Sequence, residues 1–315
     1  MPHPTTASAP APCNETLAGL VSGIAAVVLG KDDVIRLALA CVLARGHLLI
    51  EDQPGMGKTT LAHALARALG LEFQRIQFTS DLLPSDIIGV SIYEPGEARF
   101  RFHRGPVFSQ LVLADEINRA TPKAQSALLE AMEERQVTVE GETHRLPEPF
   151  FVIATQNPAR QTGTFELPES QLDRFLVRVR MGYPGHEAER ALLIGTDRRE
   201  LLERMRPFVG PREIIALQRQ VVAVHASDAL IDYVQALLRF SREDTAFRQG
   251  LSPRAGLGLL RCAQAWALID ERNHVLPEDV QAVLPAVAEH RLLAEDEHGR
   301  NGEAALARLL AVSIP

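Results

Sequence analysis

Residues Glu51-Asp52-Gln53-Pro54-Gly55-Met56-Gly57-Lys58-Thr59-Thr60 join an apolar run, Gly46 to Ile50, to a helical run, Thr60 to Leu69. A glycine-bearing turn between strand and helix lets backbone N–H groups converge on phosphate oxygens, so the chain is expected to bind ATP or GTP through its phosphates. Side chains at Gly55 or Gly57 would obstruct the loop or its approach. Lys58 is placed to reach the β- and γ-phosphates as a point charge, Thr59 to ligate Mg²⁺, and the positive end of the following helix to face the anion. Gln53, Pro54, Met56 and Thr60 complete the cradle. The pattern departs from G-x-x-x-x-G-K-T at its first position, where Asp52 stands. The plainer alternative is a strand-to-helix turn that merely contains Gly-Lys-Thr.

A second constellation is Leu111-Val112-Leu113-Ala114-Asp115-Glu116, an apolar strand that delivers two adjacent carboxylates to its carboxyl end. Asp115 is suited to hold Mg²⁺, commonly through its water shell, and Glu116 to orient and deprotonate an attacking water. Acids also favour helix N-termini, so a solvated pair capping the next helix competes with that assignment. Asn157, in Thr155-Gln156-Asn157-Pro158, follows the next apolar strand, where an uncharged amide can hold a water without competing for its proton. Asn-Pro is also an ordinary turn signal. Arg174, in Leu167-Pro168-Glu169-Ser170-Gln171-Leu172-Asp173-Arg174-Phe175, lies near the end of a short helix. Its permanent charge suits a phosphoryl transition state and can come from a neighbouring subunit; the alternative is a salt bridge to Asp173 or Glu169.

The elements that must carry these residues alternate between strand and helix to about residue 180 and are then almost wholly helical. This predicts an α/β core with a parallel sheet at residues 14–184, a linker at 185–210 and an α-helical lid at 211–315, behind a flexible Pro/Ala/Thr-rich tail at 1–13. The runs at 110–114 and 150–154 are apolar enough for central strands, whereas Phe73 to Phe78 alternates in period two. That strand separates Lys58 from Asp115 in sequence, so the two motifs are not expected on successive strands. Leu17 to Gly30 is too short to span a bilayer and reads as a buried helix. In the lid, 228–240, 253–269 and 277–288 carry helical spacing, with Trp266 as core. A net charge of −7 argues against broad nucleic-acid binding. Cys13, Cys41 and Cys262 form no C-x-x-C pair, which suggests a reducing compartment and neither zinc site nor disulfide framework, and His225, His274 and His290 lack metal-ligand spacing.

Taken with Ala114-Asp115-Glu116-Ile117-Asn118-Arg119-Ala120, the long run from Gln125 to Val137, Asn157, Leu172-Asp173-Arg174-Phe175 and Leu251-Ser252-Pro253-Arg254-Ala255, the phosphate loop gives the chain a resemblance to the MoxR-type AAA+ ATPases over almost its whole length. The resemblance implies a three-layer α/β/α core with a small helical lid, Asn157 as sensor 1, Arg174 as an arginine finger acting on the next subunit's nucleotide, and Arg254 as sensor 2, with cis or trans action open. From the residues alone, Arg254 reads as a helix-start arginine pairing with a nearby acid. A homo-oligomeric ring, most simply a hexamer, follows from a finger supplied in trans. The same likeness implies Mg²⁺ and ATP as ligands, a partner containing a von Willebrand factor A domain, and a cytoplasmic role in remodelling or maturing a protein client. A chelatase-like motor subunit and a nucleic-acid-stimulated motor are the alternatives. Two inserts, at about 84–104 and 136–147, resemble the helix-2 insert and the pre-sensor-1 hairpin. In the first, Arg99, Phe100, Arg101 and Phe102 could stack and neutralise a single strand, or form one packed aromatic face and one solvated basic face. Replacing Glu116 by Gln is expected to preserve nucleotide binding and assembly while abolishing turnover. Paired measurements of nucleotide affinity and phosphate release check this, and wild-type turnover would remove Glu116 from the catalytic role.

Overall fold

The computed structural model describes residues 13–96, 98–157, 164–294 and 302–314. The tail expected at 1–13 lies outside the described residues except for Cys13, which opens a helix; Glu97 in the first insert and Pro158 after Asn157 lie outside them too. Strands are β1 (Leu48–Glu51), β2 (Phe73–Gln77), β3 (Gly89–Glu94), β4 (Arg99–Arg104), β5 (Leu111–Asp115), β6 (Gln136–Val139), β7 (Glu142–Arg145), β8 (Phe151–Gln156), β9 (Val177–Val179), β10 (Phe247–Gln249) and β11 (Leu293–Ala294). Helices of the amino-terminal part are α1 (Cys13–Ala25), α2 (Asp32–Leu43), α3 (Lys58–Ala68), α4 (Pro84–Ile88), α5 (Pro122–Glu134) and α6 (Glu169–Leu172). Then follow α7 (His186–Ile194), α8 (Arg198–Arg204), α9 (Pro211–Ala223), α10 (Asp228–Glu243), α11 (Pro253–Ile269), α12 (Pro277–Ala288) and α13 (Gly302–Leu310).

A parallel sheet of order β2-β5-β8-β1-β9 forms the centre. The strands without polar interruption, β5 and the body of β8, are interior, because both of their faces must be covered. The alternating strand β2 sits at the edge, where Gln74, Arg75 and Gln77 remain in water. The strand that separates β1 from β5 in space is therefore β8 and not β2, which lies on the far side of β5.

Buried residues of successive strands divide by parity. Leu48, Ile50, Leu111, Leu113, Phe151 and Ile153 pack with α1, α2 and α3 in a core continuous with lid residues such as Leu259, Val283 and Leu284. Leu49, Val112, Ala114, Val152 and Ala154 face the opposite layer, with Ile87 of α4 and Leu128 and Met132 of α5. This is the expected three-layer core and helical lid. The segment 185–210 contains α7 and α8, and Leu17, Leu20 and Ile24 make α1 a buried helix, as its apolarity predicts. Trp266 of α11 packs partly buried against the same core. Among the described residues no helix is long and apolar enough to cross a membrane, and no cluster of three or more His, Cys, Asp or Glu could hold a metal.

Both inserts contain a hairpin, the first of them after α4. β6 pairs with β7 around Glu140 and Gly141, both at positive φ, the geometry of a two-residue turn. β3 pairs with β4 from Gly89↔Arg104 to Glu94↔Arg99. Strand parity puts Tyr93, Phe100 and Phe102 on one face of this hairpin and Arg99, Arg101 and His103 on the other. Phe102 stacks on His144 of the second hairpin at a 4.3 Å centroid distance, so the two inserts brace each other. The first insert enters through Gly89, at φ 104, where an added Cβ would lie 2.2 Å from the His103 carbonyl oxygen. Gly89→Ala is expected to destabilise the hairpin by about 1–3 kcal/mol while the sheet persists. Amide hydrogen exchange resolves the two, and unchanged protection across 89–104 would contradict it.

Candidate active site

The carboxyl ends of β2, β5, β8 and β1 stand level, with Gln77 opposite Asp115 and Glu51 opposite Gln156. Ligand sites collect at this edge of parallel sheets. Gly57 N-caps α3 in the left-handed region (φ 86), and Gly55 is also left-handed (φ 87). No heavy atom lies within 4 Å of a Cβ built on Gly55, so within this chain its requirement is backbone conformation and not crowding. Asp52, the departure from the usual first glycine, ties the loop down: its carboxylate accepts from Gln53 N at 2.7 Å and Gly182 N at 2.6 Å. The Lys58 ammonium donates to Asp52 O, to Gln53 O at 3.1 Å and to Asn157 Oδ1 at 3.2 Å. Burial pulls its pKa down, opposed by the carboxylates of Asp52, Asp115 and Glu116. Thr59 and Thr60 follow directly in the first turn of α3.

Asn157, buried to 2 % exposure, connects this lysine to the acids, since its amide nitrogen donates to Glu116 Oε1 at 3.0 Å. Glu116 Oε2 is also held by Gln77 Nε2 at 3.1 Å and Arg119 Nε at 3.1 Å. Glu116 is left-handed (φ 57, ψ 49), a conformation costing a non-glycine residue on the order of 1 kcal/mol and typical of constrained functional positions. Asp115 is buried at the end of β5, where Thr155 donates its hydroxyl to Oδ1 at 2.6 Å and Arg75 contacts Oδ2 at 2.6 and 3.0 Å. Thr155 Oγ1 in turn accepts from Glu116 N at 2.9 Å. The hard oxygen donors of Thr59 and Asp115 suit Mg²⁺, and the Arg75 contact shows that Asp115 already lies where a positive charge is stabilised.

Lys58, Asp115, Glu116 and Asn157 are thus gathered at one edge, and Arg174 and Arg254 are not with them. Arg174 precedes β9, whose first residue Val177 pairs with Leu48, so it lies at the amino edge of the sheet while the phosphate loop leaves the carboxyl edge. Helix α5 runs back from the Glu116 end and brings Glu133 to that amino edge. There Glu133 Oε2 accepts from Arg254 Nη2 at 2.8 Å and lies 3.9 Å from Arg174 Nε. The acid paired with Arg174 is therefore Glu133 and neither Asp173 nor Glu169; Asp173 is taken by Arg291 at 2.7 Å. Ser252 caps α11 by accepting from Ala255 N at 3.1 Å, and Pro253 follows, which sets Arg254 at the helix start. Arg75, Gln77, Arg119, Glu133 and Thr155 were not singled out in the sequence. Arg119, Glu133 and Thr155 fall inside the motif segments without a role of their own, and Arg75 and Gln77 are marked by being polar residues two apart at the end of an edge strand.

A parallel sheet of this order, a phosphate loop after β1, acids after β5 and a helical lid define a AAA+ ATPase. Residues 47–177 match the model of the ATPase family associated with various cellular activities, and 239–309 match the AAA lid domain. The chain is 45 % identical over 299 residues to the uncharacterized protein YeaC of Bacillus subtilis, covering 94 % of this chain and 93 % of that one. It is 39 % identical over 294 residues to the chaperone MoxR1 of Mycobacterium tuberculosis, covering 88 % and 76 %. A crystal structure of a candidate ATPase from Cytophaga hutchinsonii superposes with a TM-score of 0.86 at 35 % identity, covering 96 % of both chains. The chain belongs to the MoxR family of AAA+ ATPases, and it is an ATP hydrolase.

Thr155 is a positioning residue for both acids. Thr155→Val leaves the Asp115 carboxylate and the Glu116 N–H without this partner and is expected to cost about 2 kcal/mol of stability and about tenfold or more in kcat. Thr155→Ser keeps both bonds and should restore both quantities. Thermal melts and steady-state kinetics check the pair, and a valine variant with wild-type kcat would refute the assignment.

Proposed function

We propose that this ATPase acts as a ring, hexameric as its family likeness implies, in which one subunit's Lys58, Thr59, Asp115, Glu116 and Asn157 meet the next subunit's Arg174. The observation that supports this most is the separation of Arg174 from Lys58 to opposite edges of one sheet. A guanidinium at the amino edge cannot serve the phosphate loop of its own chain, but it can serve a neighbour's. Arg254 shares Glu133 with Arg174 and would act from the same side. These pairs are part-exposed, with Arg254 at 51 % and Arg174 at 30 %, so their release is cheap.

In this reading the loop N–H groups from Gly55 to Thr60 and the Lys58 ammonium bind the phosphates. Thr59 and Asp115 would hold Mg²⁺, which when bound neutralises charge on the β- and γ-oxygens. Drawing Lys58 toward phosphate frees Asn157 Oδ1 from it, and Glu116 accepts the proton of the water that the Asn157 amide holds. Arg174 of the neighbour stabilises charge on the transferring phosphoryl group.

Turnover would drive remodelling or maturation of a protein client, through a partner with a von Willebrand factor A domain as the family likeness suggests. The buried free thiols Cys41 and Cys262 suit a reducing, cytoplasmic setting. A nucleic-acid role is disfavoured by the first insert, where Arg99 and Arg101 fall on the face opposite Phe100 and Phe102 and Phe102 is already stacked on His144, so these four residues cannot interleave along one strand. Arg174→Ala and Lys58→Ala subunits, each inactive alone, are expected to regain activity when mixed. Failure of the mixture to exceed either component would overturn action in trans.

A further inference from the structure

We infer that Arg291, in the turn after α12, is the positioning residue that sets the arginine-finger loop 173–176, so that the lid of each subunit holds the finger it offers to its neighbour. The inference rests on the trans reading of Arg174 given above.

A guanidinium carries five N–H donors in a fixed plane. In Arg291 all five are engaged. Nε donates to Asp173 Oδ1 at 2.7 Å, Nη2 to Asp173 O at 3.0 Å and Phe175 O at 2.7 Å, and Nη1 to Leu176 O at 3.0 Å and to Val287 O. The side chain is 6 % exposed, so these bonds face little competition from water. His290, beside it, sets Nε2 2.8 Å from the same Phe175 carbonyl.

The loop cannot supply these bonds itself, because residues 173–176 lie between α6 and β9 in neither helix nor strand. Arg291 meets the Asp173, Phe175 and Leu176 carbonyls together, Phe175 O being shared with His290, so their common direction is set by the plane of one side chain that the lid contributes. Arg174 lies between two of the gripped residues, Asp173 and Phe175. The consequence is positional: the Arg291 fork dictates the backbone from which the finger projects. Lysine keeps the charge but has three donors on a single nitrogen and cannot hold four carbonyls and a carboxylate in one plane.

The test uses full-length Arg291→Lys protein. Its kcat is expected to fall by about tenfold or more, since small displacements of a catalytic group carry penalties of that size, with nucleotide affinity, read by a fluorescent ATP analogue, within about twofold of wild type by the same reasoning that the lesion lies away from the binding loop. Mixing with Lys58→Ala subunits, which supply an intact finger and an intact Arg291, is expected to restore turnover at the Arg291→Lys sites. Asp173→Ala removes one of the five bonds and serves as a milder variant with the same expected pattern. Wild-type kcat in both variants overturns the inference, as does a loss of kcat that Lys58→Ala subunits do not rescue while Arg174→Ala is rescued in parallel. If Arg174→Ala itself is not rescued, action in trans fails and the inference falls with it.

Discussion

The site depends first on the register of a parallel sheet. β1, β5 and β8 are interior strands locked face to face by apolar side chains of both parities, and a shift of one residue would invert every one of them. That locking makes their carboxyl ends level, and levelness lets Lys58, Asp115, Glu116 and Asn157 meet although 99 residues separate the first from the last. The placement of β8 between β1 and β5 matters in the same way. It puts Asn157 and Thr155 in the middle of the site, where one amide can touch both Lys58 and Glu116 and one hydroxyl can touch both acids. The buried core therefore sets the geometry of the polar site, and the polar site needs little rigidity of its own.

Electrostatically, each charged group at the site has a polar or oppositely charged partner. Lys58 leans on loop carbonyls and Asn157, Arg75 on Asp115, and Arg119 with Gln77 on Glu116. An unpaired charge at such depth would be far costlier than any of these pairs, which explains why each carboxylate at the site has a donor. The cations that hold the acids are part-exposed, with Arg75 at 48 % and Arg119 at 47 %, so their grip is screened and exchangeable. Asp52 fits the same logic. Where the usual pattern has a glycine, its carboxylate holds Gly182 N and braces the loop against the end of the core.

Much of this was legible in the sequence because it is encoded in local pattern. Uninterrupted apolar runs named β5 and β8, the glycines and the lysine named the loop, and the chain's change from alternating to helical periodicity separated core from lid. Asn157 was legible because a polar residue follows an apolar strand. Long-range partnership was not legible. Nothing in Thr155 distinguishes it from any strand threonine until the register sets it beside Asp115. Glu133 sits among Glu130 and Glu134 in a charged helix, and only folding shows that it faces Arg254. The order of strands in space was also closed to a linear reading, which could place β2 between the motifs in sequence but not β8 between them in the sheet. Nor could Arg99 and Arg101 be assigned to the face opposite Phe100 and Phe102 until pairing from Gly89↔Arg104 fixed their parity.

The turn Glu289–Arg291 at the end of α12 is tied to the two edges of the sheet in different ways. At the amino edge Arg291 binds backbone carbonyls, so moving this turn there must bend the 173–176 loop itself. At the carboxyl edge Glu289 meets Arg178 at 3.0 Å and Arg180 at 3.2 Å, and these reach Glu51 at 3.1 and 3.8 Å, immediately before Asp52. Those are contacts between side chains, which can lengthen or exchange partners without disturbing the main chain on either side. Arg180, at 55 % exposure, is the more weakly held of the two arginines. A side-chain bridge is softer than a backbone clamp, so displacement of the phosphate loop strains the Glu51 end before the Asp173 end. Through this turn the lid is tied more stiffly to the 173–176 loop than to the Glu51 end, and β9 is the strand that lies between that loop and the strand carrying the phosphate loop.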